Sequence, residues 1–345
     1  MTYWQVAAGE GARDYSSLFL QYGVIVMGSG HLGSYREHPE RFRGHKDWRK
    51  KIVTLADRMK QGDVVILKRG HRAKGRIIAV GRVASDYEWL EPFGDVDGWD
   101  LRHGRRVEWF RADSNKPAEG LARGTISRVQ KHDLRKKADD LVGRECARAD
   151  AIGIPPAAGI LSDDDLMDRL SVEGIIGPDT STLKATIQSV RKLAAWYIPH
   201  MSRISEHEVR TFLIIPLLLA LGWNEKQIRI EWSIGGARSD TALFQGEFVK
   251  DAKPYLIVES KRFGMGLDGA GRQAVKYAGE CNRIVTSTGD RYWLFEKHPS
   301  EKWDRGAMKQ THLRAYMNLF RLKDRHPYLP NVGGAPDLLK SLMPG

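Results

Sequence analysis

The segment YLIVESKR, residues 255–262, constrains the fold strongly because an apolar run ends directly in charged residues. Its first four residues are too apolar for an exposed edge, so we predict a buried strand. Side chains alternate between the two faces of a strand, which places Glu259 and Lys261 on the same face. An acid and a lysine at the end of a buried strand are costly without a partner or an ion. A solvated pair of opposite charges on an edge strand is the alternative.

A second acid, Asp240, follows the Gly-rich segment SIGGARSD that precedes this strand in the chain. Mg²⁺ prefers carboxylate oxygens, and two carboxylates on neighbouring strands can hold it. Lys261 would then stand close enough to polarise a water or to stabilise developing negative charge. The pattern D…E-x-K therefore predicts a metal site suited to phosphodiester hydrolysis.

The neighbouring segments extend this pattern. Residues 205–223 (SEHEVRTFLIIPLLLALGW) read as a helix that opens with acids and then turns apolar, and residues 271–296 contain Q-x-x-x-Y followed by strand-like runs. In this order the motifs resemble the PD-(D/E)xK nuclease fold, in the form found in restriction subunits of type I enzymes and in RecB-like nucleases. The resemblance covers residues 200–298.

The resemblance implies a role for each matching residue. Asp240 and Glu259 would be ligands of Mg²⁺, or of Mn²⁺, and Lys261 would be the catalytic lysine. Glu206 matches the helix glutamate that supports the metal, and Glu208 is the competing position. The residue before Asp240 is Ser239, where this family often has proline.

The Q-x-x-x-Y motif is formed by Gln273 and Tyr277. Residues four apart share one face of a helix, so the two side chains are expected side by side. By resemblance, this pair would orient DNA or the catalytic lysine.

The first half of the chain contains short apolar segments separated by turn residues, which predicts a small β-barrel. The strand-like segments are residues 3–8, 24–27, 62–70, 75–89 and 105–110. The segment MKQGDVVILKRG, followed by IIAVGRV, resembles the corresponding sequence of PUA-like domains, which include EVE-type readers of modified cytosine. The resemblance covers residues 1–125 and implies DNA recognition through a flipped base.

Such a pocket needs aromatic faces for stacking and polar groups for the pairing edge of the base. By resemblance, Trp4, Trp89, Trp99 and Asp100 are the expected pocket residues, with the acid accepting a hydrogen bond from a cytosine amino group. Packing in the core of a small barrel is the alternative for each tryptophan.

The glycine motif G-x-G-x-x-G at residues 28–33 follows a strand, as in dinucleotide-binding folds. The next residues, SYREHPERFRGHKDW, lack the apolar periodicity of the required helix, so no nucleotide cofactor is expected.

Composition restricts the remaining possibilities. The 345-residue chain has a formal net charge of +12, which suits a polyanionic partner, and it has only two cysteines, which suits a reducing cytoplasm. The longest apolar run, residues 212–223, is too short to span a bilayer, so no membrane association is expected.

We therefore expect two domains: an N-terminal PUA-like β-barrel (α+β) in residues 1–160 and an α/β PD-(D/E)xK restriction-endonuclease-like domain in residues 205–345. Residues 161–204 would form a linker and a packing helix. The expected function is Mg²⁺-dependent, modification-dependent restriction of foreign double-stranded DNA, and cutting both strands would favour a homodimer. The alternatives are an RNA-directed or structure-specific nuclease and a nucleic-acid-binding protein with a silent nuclease fold.

Two helices are also predicted, over 129–153 and over 311–329.

Overall fold

The computed structural model shows an α+β protein with two compact units, Met1–Ala157 and Ala158–Gly345. The structure describes residues 1–9, 14–69, 76–112, 120–142, 148–174, 180–234, 237–246, 249, 252–267, 269–279, 281–306 and 308–345, with the backbone alone at 234, 237, 277, 278 and 310.

A strongly curved mixed sheet, a half-barrel, forms the first unit. Its strand order is β2-β6-β4-β3-β1-β7, with β5 paired to β6, and only β1 and β3 run parallel. The strands are β1 (Tyr3–Ala7), β2 (Val24–Met27), β3 (Val64–Lys68), β4 (Ile77–Val83), β5 (Glu88–Trp89), β6 (His103–Arg111) and β7 (Ile126–Arg128). Each expected segment contains a strand, and the pairing of β3 with β4 is confirmed, but the segment expected as one strand over 75–89 contains two, β4 and β5.

The helices of the first unit are α1 (Ser16–Tyr22), α2 (Lys46–Val53) and α3 (His132–Val142), and a π-helical turn, Thr54–Arg58, continues α2. The helix predicted over 129–153 is therefore too long. The chain at Arg148 forms a β-bridge with Phe110, and the next residue, Ala149, donates its N–H to Trp109. The backbone there pairs with β6, which removes it from any helix.

In the second unit a six-stranded sheet has the order β13-β12-β11-β10-β9-β8. Its strands are β8 (Ile228–Ile234), β9 (Ala237–Leu243), β10 (Leu256–Ser260), β11 (Arg283–Ser287), β12 (Arg291–Glu296) and β13 (Leu313–Asn318). The pair β10 and β11 is parallel, and the other neighbours are antiparallel. All five residues of β10 are buried, as the run YLIV predicts.

The helices of this unit are α4 (Asp163–Val172), α5 (Thr180–Tyr197), α6 (Glu206–Val209), α7 (Ile215–Ala220), α8 (Ala270–Ala278), α9 (Met308–Thr311) and α10 (Ala335–Leu342), and a π-helical turn, Arg210–Ile214, joins α6 to α7. The segment expected to form a linker and a packing helix, residues 161–204, contains α4 and α5. Both bury apolar side chains in the core of this unit.

The helix predicted over residues 311–329 is wrong. Leu313–Asn318 forms β13, which pairs with β12 at the edge of the sheet. The apolar residues Leu313, Ala315 and Met317 alternate with period two and are buried, so a strand pattern was present inside a stretch that also contains helix-forming residues.

Apolar side chains pack against both faces of the sheet in the second unit and form one cluster on each face. The larger contains Val258 of β10 with side chains of α5 and α7, and the other contains Ile257 with Ala274 and Val275 of α8. Glu259 lies two residues after Ile257, on the side of the sheet that α8 covers. Among the described residues, no helix has the length and apolar character needed to cross a bilayer.

Candidate functional site

The ends of strands β9 and β10 bring Asp240 and Glu259 together. The two strands pair antiparallel, with Val258 opposite Thr241 as the last register pair before the acids. Asp240 and Glu259 are the residues that adjoin this pair on the two strands. Lys261 follows at the end of β10, where its backbone N–H donates to Ser287 of β11 at 2.8 Å. The sheet thus fixes all three residues.

Helix α6 brings a third carboxylate to this point. Ser205 caps the helix: its hydroxyl accepts from the backbone N–H of Glu208, and the Glu208 carboxylate accepts from the backbone N–H and the hydroxyl of Ser205. Glu208 is therefore engaged in the cap. Glu206, the first residue of the helix, extends toward Lys261 instead, and of the two competing positions it is the one that reaches the cluster.

The ammonium group of Lys261 lies between two of these carboxylates. Its Nζ is 2.6 Å from Glu259 Oε1 and 3.6 Å from Glu206 Oε1. The Glu259 side chain is only 1% exposed, whereas those of Lys261 and Asp240 are 20% and 22% exposed. A buried acid thus sits below a cluster that opens to solvent.

Burial and mutual repulsion change the proton affinities of this cluster, which we call the acidic cluster (Glu206, Asp240, Glu259 and Lys261). Burial, and then the negative charge of Asp240, raises the pKa of Glu259 to about 7 despite the contact with Lys261. Burial also raises the pKa of Glu206, and Asp240 adds to that effect. For Lys261, burial acts to lower the pKa, but the hydrogen bond to Glu259 and the nearby acids outweigh it and raise the pKa.

Asp240 is held by Ser260, the middle residue of E-x-K, and by Arg210, which lies outside the motif. Its Oδ2 accepts two hydrogen bonds of 2.7 Å, one from the backbone N–H of Ser260 and one from the Ser260 hydroxyl. Its Oδ1 lies 3.6 Å from Nη1 of the buried Arg210, whose Nη2 also reaches Glu231 at 3.4 Å. One carboxylate oxygen is therefore fixed by Ser260, and the other lies near the Arg210 guanidinium group.

The donor set suits a hard divalent cation. Three carboxylates converge, and burial, followed by the negative charge of Asp240, raises the pKa of Glu259 and Glu206, so a positive charge is favoured among them. In the part of the chain that the structure describes, no three acidic, histidine or cysteine side chains are positioned so that they could hold a metal ion. The Lys261 ammonium compensates the acids instead, and a cation would require a shift of this side chain.

Gln273 and Tyr277 lie on α8, which covers the Glu259 side of the sheet. Gln273, in the first turn, is exposed. The side chain of Tyr277 lies outside the described residues, so the predicted pair is located only as two positions one turn apart on this helix.

In the first unit, Trp89 and Asp100 belong to one polar cluster. Arg102 donates to both carboxylate oxygens of Asp100, at 2.8 and 2.7 Å, and its guanidinium carbon lies 4.5 Å from the centre of the Trp89 ring. Trp89 Nε1 donates to Glu91 at 2.6 Å. A Cβ on Gly30 would overlap the Asp100 carboxylate, so the second glycine of the G-x-G-x-x-G motif provides room for this acid.

Trp4 is buried in β1, and its Nε1 donates to Asp63 Oδ2 at 2.9 Å. Asp63 also accepts from the backbone N–H groups of Thr2 and Lys60, so it fixes the turn before β3. This contact gives Trp4 a structural role in the barrel. One edge of its side chain nevertheless lines a large cavity.

Trp99 lines a smaller cavity of about 120 Å³, which we call the aromatic cavity. Its wall is mostly apolar and aromatic and includes Tyr15, Phe19, Met27 and Trp48. The structure thus divides the four expected pocket residues: Trp99 lines the aromatic cavity, Trp4 lines a different one, and Trp89 and Asp100 are joined through Arg102.

The sequence reasoning missed four residues that shape these sites. Ser260 lies inside the motif ESK, and Arg210 lies one helical turn after Glu206, so spacing alone offered a signal for both. Trp48 and Lys51 stand in a charged segment, KDWRKK, that gives no sign of a cavity wall; only the folded chain brings them next to Trp99.

Residues 4–130 match the model of one protein family, described as a domain of unknown function, DUF8426. No curated protein matches the chain. The match covers the half-barrel sheet of the first unit and carries no assigned activity.

Proposed function

We propose that the chain is a Mg²⁺-dependent DNA endonuclease with a PD-(D/E)xK catalytic domain in the second unit and a PUA-like reader of modified bases in the first. The observation that carries the proposal is the convergence of Asp240, Glu259 and Glu206 around Lys261 at the ends of two adjacent strands.

Each residue of the acidic cluster would have its own role in the reaction. Asp240 and Glu259 would hold the cation, supported by Glu206, and Lys261 would orient the attacking water and donate a hydrogen bond to it. A bound Mg²⁺ supplies charge stabilisation to the phosphate and makes a water more acidic. Ser260 keeps the Asp240 carboxylate in position through its two hydrogen bonds.

The aromatic cavity supports the reader role. Its aromatic wall offers π faces for stacking, as a flipped base requires. Trp99 and Trp48 are the residues that we assign to stacking. Asp100 accepts one hydrogen bond from Arg102 at each of its oxygens, and each oxygen has a further lone pair that could accept from the pairing edge of a base.

The nuclease proposal is tested by cleavage of supercoiled plasmid in Mg²⁺ by the wild type, Asp240→Asn and Lys261→Met. Each variant removes a group that acts on the reacting phosphate, so a rate loss of about 100-fold or more is expected. Asp168→Asn, which removes an exposed carboxylate on α4, is the matched control and should cut at the wild-type rate. Wild-type cutting by both site variants would refute the proposal.

The reader proposal is tested separately with matched unmodified, methylated, hydroxymethylated and glucosylated DNA. The wild type should cut one modified substrate preferentially. Trp99→Ala should cut all four at similar rates, because it loses the stacking face but keeps the catalytic cluster. Equal cutting of all four by the wild type would remove the reader function and leave the nuclease intact.

A further inference from the structure

A cavity of about 690 Å³ in the first unit has a wall dominated by positive charge. We call it the basic cavity. Its charged lining residues are five cations and one acid: Lys50, Lys51, Arg58, Arg123, Arg128 and Asp47. Trp4 forms part of its apolar wall, and the hydroxyls of Thr2, Thr54, Thr125 and Ser127 contribute polar groups.

None of the five cations forms an ion pair with another described residue. Elsewhere in this unit, Arg36, Arg102 and Arg106 each have a carboxylate partner. Four cations of the basic cavity are exposed and Lys51 is half-buried, with its Nζ 4.5 Å from the centre of the Trp48 ring. Five cations that form no ion pair with a described residue repel each other around one cavity, which Asp47 also lines, so an anionic ligand would be favoured there.

The basic cavity adjoins the aromatic cavity. Lys51 and Thr125 line both, and Trp48, over which Lys51 lies, belongs to the wall of the aromatic cavity. The two cavities therefore place a row of phosphate-binding groups beside a site for one planar ring. A nucleotide chain has this combination of chemistry: a base for the aromatic site and successive phosphates for the cations.

We infer that the basic cavity binds the backbone phosphates of the DNA strand whose base enters the aromatic cavity. The inference rests on the proposed function, since it takes the ligand to be DNA. The aromatic cavity selects the base, and the basic cavity supplies affinity that is independent of sequence and sensitive to salt. Lys51 lines both cavities, so it would lie next to the sugar-phosphate group that carries the flipped base.

The test measures binding of a 16-base-pair duplex to the full chain in EDTA, from 50 to 300 mM salt, so no cleavage is needed. Lys50→Gln/Arg123→Gln should reduce the slope of log Kobs against log salt by about 2, because each lost cation releases about one counterion fewer. The matched control is Lys136→Gln/Lys137→Gln, two exposed cations of α3 outside the cavity, which should keep the wild-type slope.

A second pair, Arg58→Gln/Arg128→Gln, removes two other cations of the same cavity and should give the same change, with equal loss of affinity for modified and unmodified duplexes. If both cavity pairs kept the slope of the α3 control, the inference would be overturned. A change seen with RNA but not with DNA would overturn the assignment to DNA. If the wild type failed to cut plasmid in Mg²⁺ but the cavity variants showed the reduced slope in EDTA, the nuclease proposal would be removed and this inference would stand.

Discussion

Glu259 has the most unusual surroundings of the acidic cluster. Its side chain is almost completely buried, it lies near Asp240, and it is in contact with the Lys261 ammonium group. Burial therefore raises its pKa to about 7, so near neutral pH a proton and a metal ion compete for the same carboxylate.

This shift predicts a specific pH dependence of stability. Glu259 has a higher pKa when folded than the ordinary value of 4.5, so its contribution is fully present below pH 4.5 and is lost as the pH rises through about 7. In EDTA, the wild type should lose about 1–3 kcal/mol more than Glu259→Gln between pH 5 and pH 8.

Urea unfolding at several pH values measures this difference. The comparison uses the change with pH and not the absolute stability, because the variant also removes the ion pair with Lys261. Parallel stability curves for the two proteins would show that Glu259 titrates like an exposed acid.

Among the secondary-structure elements, the start of α6 determines where Glu206 stands. Ser205 and Glu208 form a capping box there, and α4 begins with the same device, built from Ser162 and Asp165. The two caps are chemically alike, but only the first lies beside the acidic cluster.

Ser205→Ala and Ser162→Ala therefore form a matched pair. Each should cost about 1 kcal/mol, or about 2–4 °C in Tm. Only Ser205→Ala should also lower kcat for DNA cleavage, because fraying of the first turn displaces Glu206. Thermal unfolding and steady-state cleavage measure the two effects; equal kcat values in both variants would mean that Glu206 has no part in the reaction.

Secondary-structure elements were predicted best from the sequence where the pattern of apolar residues was regular. The buried strand β10 and the helix α5 followed from their apolar periodicity, and the acids of α6 and β9 could be assigned to one site from their order. The strand β13 was mistaken for a helix because its pairing with β12, a long-range contact, outweighs local preference. The hydrogen bonds of Ser260 to Asp240 depend on strand register, which the motif does not specify.

At the scale of the whole molecule, each unit has its own concentration of charge. The second unit has carboxylates close together at the ends of two strands, whereas the first has five cations and one acid around a cavity. The net charge of +12 suggested a polyanion partner, but it could not locate the basic cavity, because Lys50 and Arg128 are distant in sequence and meet only in the fold.

The central claim is that the acidic cluster binds a divalent cation, and anomalous diffraction from crystals soaked in Mn²⁺ tests it most directly. We predict a manganese peak within bonding distance of Asp240 and Glu259, with Lys261 moved away from its present contact with Glu259, and no such peak in Asp240→Asn. A fully occupied manganese site elsewhere, with Lys261 still bonded to Glu259, would contradict the account.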